Sequence, residues 1–423
     1  MTKKLNKKSL LPDLSPEQAS ALELLESGEN VFLTGGAGSG KSFLIRHFMA
    51  GLNIKEFPIL ASTGAAAVLL GGRTFHSFFG LGIMDGGPQK TLERVTQDLR
   101  VLKRIAKVEG VIIDEISMIP AQVLEVAEEL CRVARDSSLP WGGMRIIVVG
   151  DFAQLPPVTP SGRARDWSFL SPVWEKSGFQ PCVLSHNQRV KDDQFLDILA
   201  DVRKGFVSEN VKNYLESRLL EHDEEDIATR LFPRRDQADF LNTKKLAQIP
   251  FPEMIVDSIY LGGEKQIEIL RKNAPIPPQV RLKEEARVMF VQNDMQKRWV
   301  NGTRGWVRAV APDKITVEKD NGREVTVDKS QFGLQDSDGN IVASVINFPL
   351  TLAYATTIHK SQGATIDELW VDLQRLWEPG HAYVALSRLP YGDGLKLLGW
   401  SPRSIIVDPK VVQFYKSLGQ GAL

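Results

Sequence analysis

Four short apolar runs in the first part of the chain each end on a polar or glycine-rich cluster, and this registry constrains the fold more than any other feature. VFLT leads into residues 35–42, PILAST into 62–64, GVII into Asp114 and Glu115, and MRIIVVG into 151–154. Runs this short, rich in branched residues and separated by helical patterns, predict parallel strands with helices on both faces of one sheet. Ligands of such sheets sit beyond the carboxyl ends of the strands, where all four clusters would gather. The predicted fold class is therefore α/β.

The first cluster reads Gly35-Gly36-Ala37-Gly38-Ser39-Gly40-Lys41-Ser42 and satisfies GxxxxGK[ST] between an apolar strand and the helical FLIRHFMA. Glycines let backbone N–H groups turn inward around phosphate oxygens at a helix N-terminus that already favours negative charge. Lys41 is expected to reach the β- and γ-phosphates and Ser42 to ligate magnesium. Asp114 and Glu115 add two carboxylates at a strand end. The first suits magnesium, and the second suits orienting and deprotonating a water. Gln154 can sense a γ-phosphate by hydrogen bonding, and Gln18, in LSPEQ, offers the paired donor and acceptor that adenine requires. Arg189 in LSHNQR and Arg388 in VALSR are candidates to stabilise charge on a transferring phosphoryl group.

A second set of polar residues has a different chemistry. Ser62 and Thr63, then Arg73, Thr74 and His76, then Thr356, Thr357, His359, Lys360 and Ser361 are hydroxyl, imidazole and single-cation groups. Such groups suit contact with a phosphate backbone rather than base reading. Phe75 is a candidate for base stacking or for the core, whereas Phe78 and Phe79 are expected in the core. Beyond His76 and His359, no histidine lies at metal-ligand spacing along the sequence. The 52 basic and 52 acidic residues balance, so any nucleic-acid track must be local rather than a global basic field. Cys131 and Cys182 are the only cysteines, which excludes a disulfide framework and a cysteine-rich metal site and fits a reducing, cytoplasmic setting. No apolar run is long enough to span a membrane.

The organisation predicted from these patterns is a first domain over 1–181. A second α/β domain covers 182–280 and 348–423, interrupted by a β-rich insertion over 281–347 in which Asn321-Gly322 marks a tight hairpin. Between Gly80 and Gly110 a single surface helix is expected to bury Leu92, Val95, Leu99, Leu102 and Ile105.

The blocks GGAGSGKS, GGRTFHSF, VIIDEISM, GDFAQLPPV, LSHNQR, TIHKSQGAT and YVALSR, in this order, resemble superfamily-one helicases of the RecD-like subgroup, most closely the Pif-type DNA helicases. The resemblance covers nearly the whole chain. It implies two RecA-like P-loop motor domains, a small wedge insertion near 80–110 in the first and an SH3-like β insertion in the second. It further implies ATP and magnesium as cofactors, with Gly363 joining the nucleotide-binding set. The implied activity is 5′-to-3′ translocation on single-stranded DNA, with unwinding of duplexes, forks and G-quadruplexes. A monomer is expected, with single-stranded and tailed or forked DNA as partners. Departures exist: Val190 follows Arg189 where the Pif-type pattern has glutamine, and SMIPAQVLEVAEEL only loosely echoes the family signature. The rival reading is an ATP-switched DNA-binding protein that remodels complexes without unwinding. A small-molecule kinase would need no TIHKSQG block.

Overall fold

The computed structural model describes residues 13–53, 55–62, 73–82, 84, 86–159, 164–220, 228–274, 276–294, 296–335 and 341–419. They fall into two units, one from Met1–Gln188 with Asp408–Leu423 and the other from Arg189–Asp336 with Asn340–Val407. Among the described residues no helix is long and apolar enough to cross a membrane.

The first unit is built on β1 (Val31–Gly35), β2 (Ile59–Ala61), β3 (Arg73–Thr74), β4 (Gly110–Asp114), β5 (Arg145–Val149) and β6 (Gln180–Leu184). These pair in parallel in the order β3-β2-β4-β5-β1-β6. Alternation along each strand sends side chains to opposite faces, and because helices cover both faces, both sets are apolar. Val31, Leu33, Ile147 and Val149 pack against Ala21 and Leu25 of α1 (Pro16–Glu26) and Leu44, Ile45 and Phe48 of α2 (Lys41–Met49). Phe32, Val111, Ile113, Ile146 and Val148 face the other way, towards Leu124, Ala127 and Leu130 of the helix Ala121–Ala134. Each such buried side chain contributes about 1.5–3 kcal/mol, so a charge at Ile113 would cost the sheet its central contact.

Two boundaries of the first unit differ from the predicted ones. The break placed after Pro181 falls inside β6, which pairs with β1 along its whole length. The C-terminal helix Pro409–Ser417, predicted in the second domain, belongs to the first unit. Its Phe414 stacks on Phe169 at 4.4 Å between ring centroids and meets Trp174 and Phe152 edge-on. Trp167 Nε1 donates to Asp408 Oδ2 at 2.9 Å, anchoring the residue that caps the helix. The single helix expected between 80 and 110 is two, Gly87–Val95 and Leu99–Lys107. Asp98 breaks it by accepting the backbone N–H groups of Arg100 and Val101, as an N-cap does. Leu99, expected in the core, is 66% exposed.

The second unit opens its sheets with β7 (Thr229–Phe232) and then runs through antiparallel strands: β8 (Met254–Asp257), β9 (Ile259–Gly262), β10 (Gln279–Leu282), β11 (Arg287–Phe290), β12 (Arg304–Val310), β13 (Lys314–Lys319), β14 (Glu324–Asp328), β15 (Ser330–Gln335), β16 (Ile341–Asn347) and β17 (Leu350–Leu352). They form sheets ordered β10-β8, β14-β13-β12-β11-β17 and β15-β16-β9. The β-rich region thus reaches beyond 281–347 at both ends. Gly322, at φ +76°, turns the β13–β14 hairpin that Asn321-Gly322 predicted. The chain then returns to β7 through β18 (Ala355–Thr357), β19 (Leu369–Asp372) and β20 (Leu395–Gly399), giving a parallel sheet ordered β18-β7-β19-β20.

Candidate functional site

The glycine-rich loop between β1 and α2 is a cradle that side chains would fill. Gly35 has φ +145°, and a Cβ there would lie 2.3 Å from Leu184 O. Gly40 has φ +90°, and its Cβ would meet the Gln18 amide at 2.6 Å. Only glycine adopts these conformations without strain. Lys41 Nζ donates to Gly35 O at 2.8 Å and Gly36 O at 2.9 Å, which folds the ammonium over the loop. Ser39 Oγ is buried and has no hydrogen-bond partner among the described residues. An orphaned hydroxyl in a glycine cradle at the start of a helix is the donor set a phosphate needs. Ser42 lies exposed in the first turn of α2.

Residues after β6 clasp this loop from outside. Asn187 Nδ2 donates to Ala37 O and the Gln188 N–H to Gly38 O, each at 2.7 Å. Glu17 holds the same segment, accepting from the Ser185 N–H at 2.7 Å and Ser185 Oγ at 2.6 Å. Gln18 sits against Gly40, but its Oε1 accepts from the Ser15 N–H at 3.1 Å in a capping box. The carbonyl half of the expected adenine-reading pair is therefore engaged in closing α1.

At the end of β4, the Asp114 carboxylate accepts the Glu115 N–H at 3.0 Å. Burial pushes the Asp114 carboxyl above its usual range, opposed by that N–H and by the Lys41 ammonium. Glu115 adopts φ 54°, ψ 48°. A left-handed conformation at a residue with a side chain costs about 1–3 kcal/mol and marks a position held by its surroundings. At the end of β5, Asp151 is fully buried and gathers donors: the Ala153 N–H at 3.1 Å, the Tyr415 hydroxyl at 3.0 Å and Gln154 Nε2 at 3.4 Å. Tyr415 Oη also accepts the Phe152 N–H at 2.9 Å and lies 2.9 Å from Thr34 Oγ1 on β1. Thus Tyr415 ties the ends of β1 and β5 together. Sequence reading missed Tyr415, Asn187 and Gln188. The last two carried a signal, being amides in the LSHNQR block; Tyr415 carried none.

Of the first unit's predicted strand-contact residues, Thr63 lies outside the described residues. Ser62 Oγ lies 3.6 Å from Met118 Sδ. Arg73 Nη2 donates to Ser77 Oγ at 3.1 Å, and Thr74 caps the short helix Phe75–Phe78 through its hydroxyl. Phe75 is fully buried and packs on Phe79 at 4.8 Å, so it is a core residue and not a stacking platform. The aromatic run closes the core instead. His76 remains partly accessible, with burial lowering its pKa.

In the second unit the structure turns several predicted contacts inward. Thr356 and Thr357 are buried, and the Thr357 hydroxyl accepts the Lys360 N–H at 3.2 Å as the cap of the helix Ile358–Ser361. Ser361 is also buried, its Oγ donating to Ile358 O at 2.8 Å. For Thr357 and Ser361 the physical reason is shared: short hydroxyls at the ends of a helix satisfy local backbone groups first. His359 and Lys360 are the solvent-accessible members. Burial lowers the Lys360 pKa, assisted by Arg235 and opposed by Asp239. Gly363 takes φ +80° with open space where a Cβ would stand. Arg388 is 1% exposed; it donates to Val384 O at 2.8 Å, Ser387 Oγ at 2.8 Å and Ser361 O at 3.3 Å. Arg189 Nη1 donates to Ser387 O at 2.9 Å. Desolvation lowers its pKa.

Comparison with known proteins places these features in a family. Residues 13–213 match the PIF1-like helicase family. A relative from Bdellovibrio bacteriovorus, an ATP-dependent DNA helicase Pif1, is 66% identical over 96% of this chain and 92% of its own. The Pif1 of a Bacteroides species in complex with ADP-AlF4 superposes with a TM-score of 0.85 at 28% identity, covering 96% of this chain and 98% of that one. Bacteroides Pif1 bound to ssDNA aligns over the same shares at a TM-score of 0.65 and 28% identity.

Proposed function

Because this chain belongs to the PIF1-like helicase family and is an ATP-dependent DNA helicase, we propose that it moves 5′-to-3′ along single-stranded DNA and opens tailed duplexes, forks and G-quadruplexes ahead of it. The direction and the substrates rest on the family resemblance. The observation that carries the chemistry is the glycine cradle with Lys41 folded over it, beside a left-handed Glu115 at the end of β4.

In this reading the N–H groups of residues 35–42 and the Ser39 hydroxyl bind phosphate oxygens, while Lys41 moves from the Gly35 and Gly36 carbonyls to the β- and γ-phosphates. Ser42 and Asp114 are the residues that would hold magnesium, which offsets charge developing on the phosphates. Glu115 takes a proton from the attacking water. Gln154, steadied by Asp151, senses the γ-phosphate. Arg189 and Arg388 supply positive charge to the transferred phosphoryl group.

Ser62, Thr63 and His76 on the first unit and His359 and Lys360 on the second are the proposed contacts to the strand. The bond from Arg388 Nη1 to Ser361 O joins the YVALSR block directly to the turn that carries His359 and Lys360. A guanidinium drawn to phosphate would therefore pull on that turn, and each nucleotide state would favour a different grip. Single-stranded DNA is expected to raise the steady-state rate of ATP hydrolysis by this protein. A rate that does not respond to single-stranded DNA would refute the translocase reading.

A further inference from the structure

The second unit holds a cluster in which the proposed strand contact uses only His359, leaving Glu378 and His381 without a role in hydrolysis or grip. Ligating atoms of His359, Glu378 and His381 all lie within 4.8 Å of one another. His381 Nε2 and Glu378 Oε2 are already 3.5 Å apart, and the rings of His359 and His381 meet edge to face at 5.5 Å between centroids. We propose that these three side chains form a binding site for a divalent transition metal of the zinc class.

Local backbone geometry presets two of the ligands. Glu378-Pro379-Gly380-His381 is a turn closed by the His381 N–H donating to Glu378 O at 3.2 Å, with Gly380 at φ 79°, ψ −17°. Proline followed by a left-handed glycine is the signature of a type II turn, in which the first and fourth residues stand side by side. The Gly380 N–H also donates to Ile406 O at 3.0 Å, pinning the turn from behind. His381 begins the helix His381–Leu386 and is 1% exposed, while Glu378 keeps 25% of its side chain open to solvent. The third ligand, His359, comes from the helix Ile358–Ser361.

The distances suit zinc. Bonds of about 2.0–2.2 Å to imidazole nitrogen and carboxylate oxygen place tetrahedral ligand atoms roughly 3.3 Å apart. The Glu378–His381 pair is close to that spacing, and the His359 ligand atom lies within 4.8 Å of both. Two imidazoles with one carboxylate select zinc, cobalt or another first-row ion over magnesium, which prefers oxygen ligands. Three protein ligands would leave a tetrahedral ion one position for water. The separation of 22 positions between His359 and His381 explains why sequence spacing gave no sign of the site.

An ion here would fix the His359 ring, and with it the turn proposed to grip the strand. That consequence rests on the proposed function; the site does not.

The test is titration of the chelator-treated 423-residue chain, without nucleotide, with Zn2+ against a chromophoric competitor, and in parallel with Co2+ read by visible absorption. One equivalent is expected. Losing a ligand should weaken binding at least as much as losing an outer partner, so Glu378→Gln and His381→Gln should each lower affinity by about tenfold or more and abolish the cobalt band. Glu378→Gln is partly exposed and keeps the fold, which metal-free melting curves will verify. Zinc binding unchanged in both variants, lost instead in Asp114→Asn, or absent from the parent protein would overturn the proposal.

Discussion

The two parallel sheets use similar residues in opposite ways. Beyond β1, β4 and β5, the first unit keeps its polar atoms assembled: Lys41 lies over the glycine loop, Glu115 is held left-handed, and Asp151 collects donors from the loop after β5 and from the C-terminal helix. Beyond β18, the second unit turns Thr357 and Ser361 into its own backbone and leaves only His359 and Lys360 accessible in that turn. A hydroxyl after a strand is thus not a contact by default. It caps a helix unless the surroundings already supply the cap.

The comparison is broken most severely at Lys41. Lys41→Ala should reduce ATP turnover to background, and Glu115→Gln should lower it by about 10²–10⁴-fold while ATP still binds. Near-normal hydrolysis by either variant would remove the first unit's assigned chemistry. In the second unit, His359→Ala should lower the DNA-stimulated rate more than the basal rate. The reverse pattern would place His359 in the nucleotide site.

Tyr415→Phe sharpens the comparison. It removes a donor from buried Asp151 and should cost about 1–3 kcal/mol of stability, seen as a lower melting temperature. If Tyr415 positions the Gln154 turn, kcat for ATP should also fall while KM holds. A double-mutant cycle with Asp151→Asn should then be non-additive. A fall in melting temperature with unchanged kcat would reduce Tyr415 to packing. The smallest effect is expected at Asp98→Ala, about 1 kcal/mol from a lost cap with turnover unchanged.

Legibility followed the range of the interactions. The strands before residues 35–42, Asp114 and Asp151 were readable because burial on both faces leaves continuous apolar runs. The β13–β14 hairpin was readable because Asn321-Gly322 encodes its turn locally. Asp98 carried a capping signal that the periodicity of Leu92, Val95 and Leu99 masked. Glu115 could not be foreseen as left-handed, since no side-chain preference points there. Tyr415 meets Thr34 from 381 positions away, and nothing local in QFYKS specifies where that hydroxyl ends. For the same reason the C-terminal helix was assigned to the wrong unit.

The central claim is that ATP hydrolysis at the first unit drives directional movement along a strand. Unwinding of matched duplexes carrying either a 5′ or a 3′ single-stranded tail, with ATP and magnesium, tests it most directly. The account predicts strand separation of the 5′-tailed duplex only, and none with Glu115→Gln. Separation of the 3′-tailed duplex instead, or an intact 5′-tailed duplex despite DNA-stimulated ATP turnover, would contradict it.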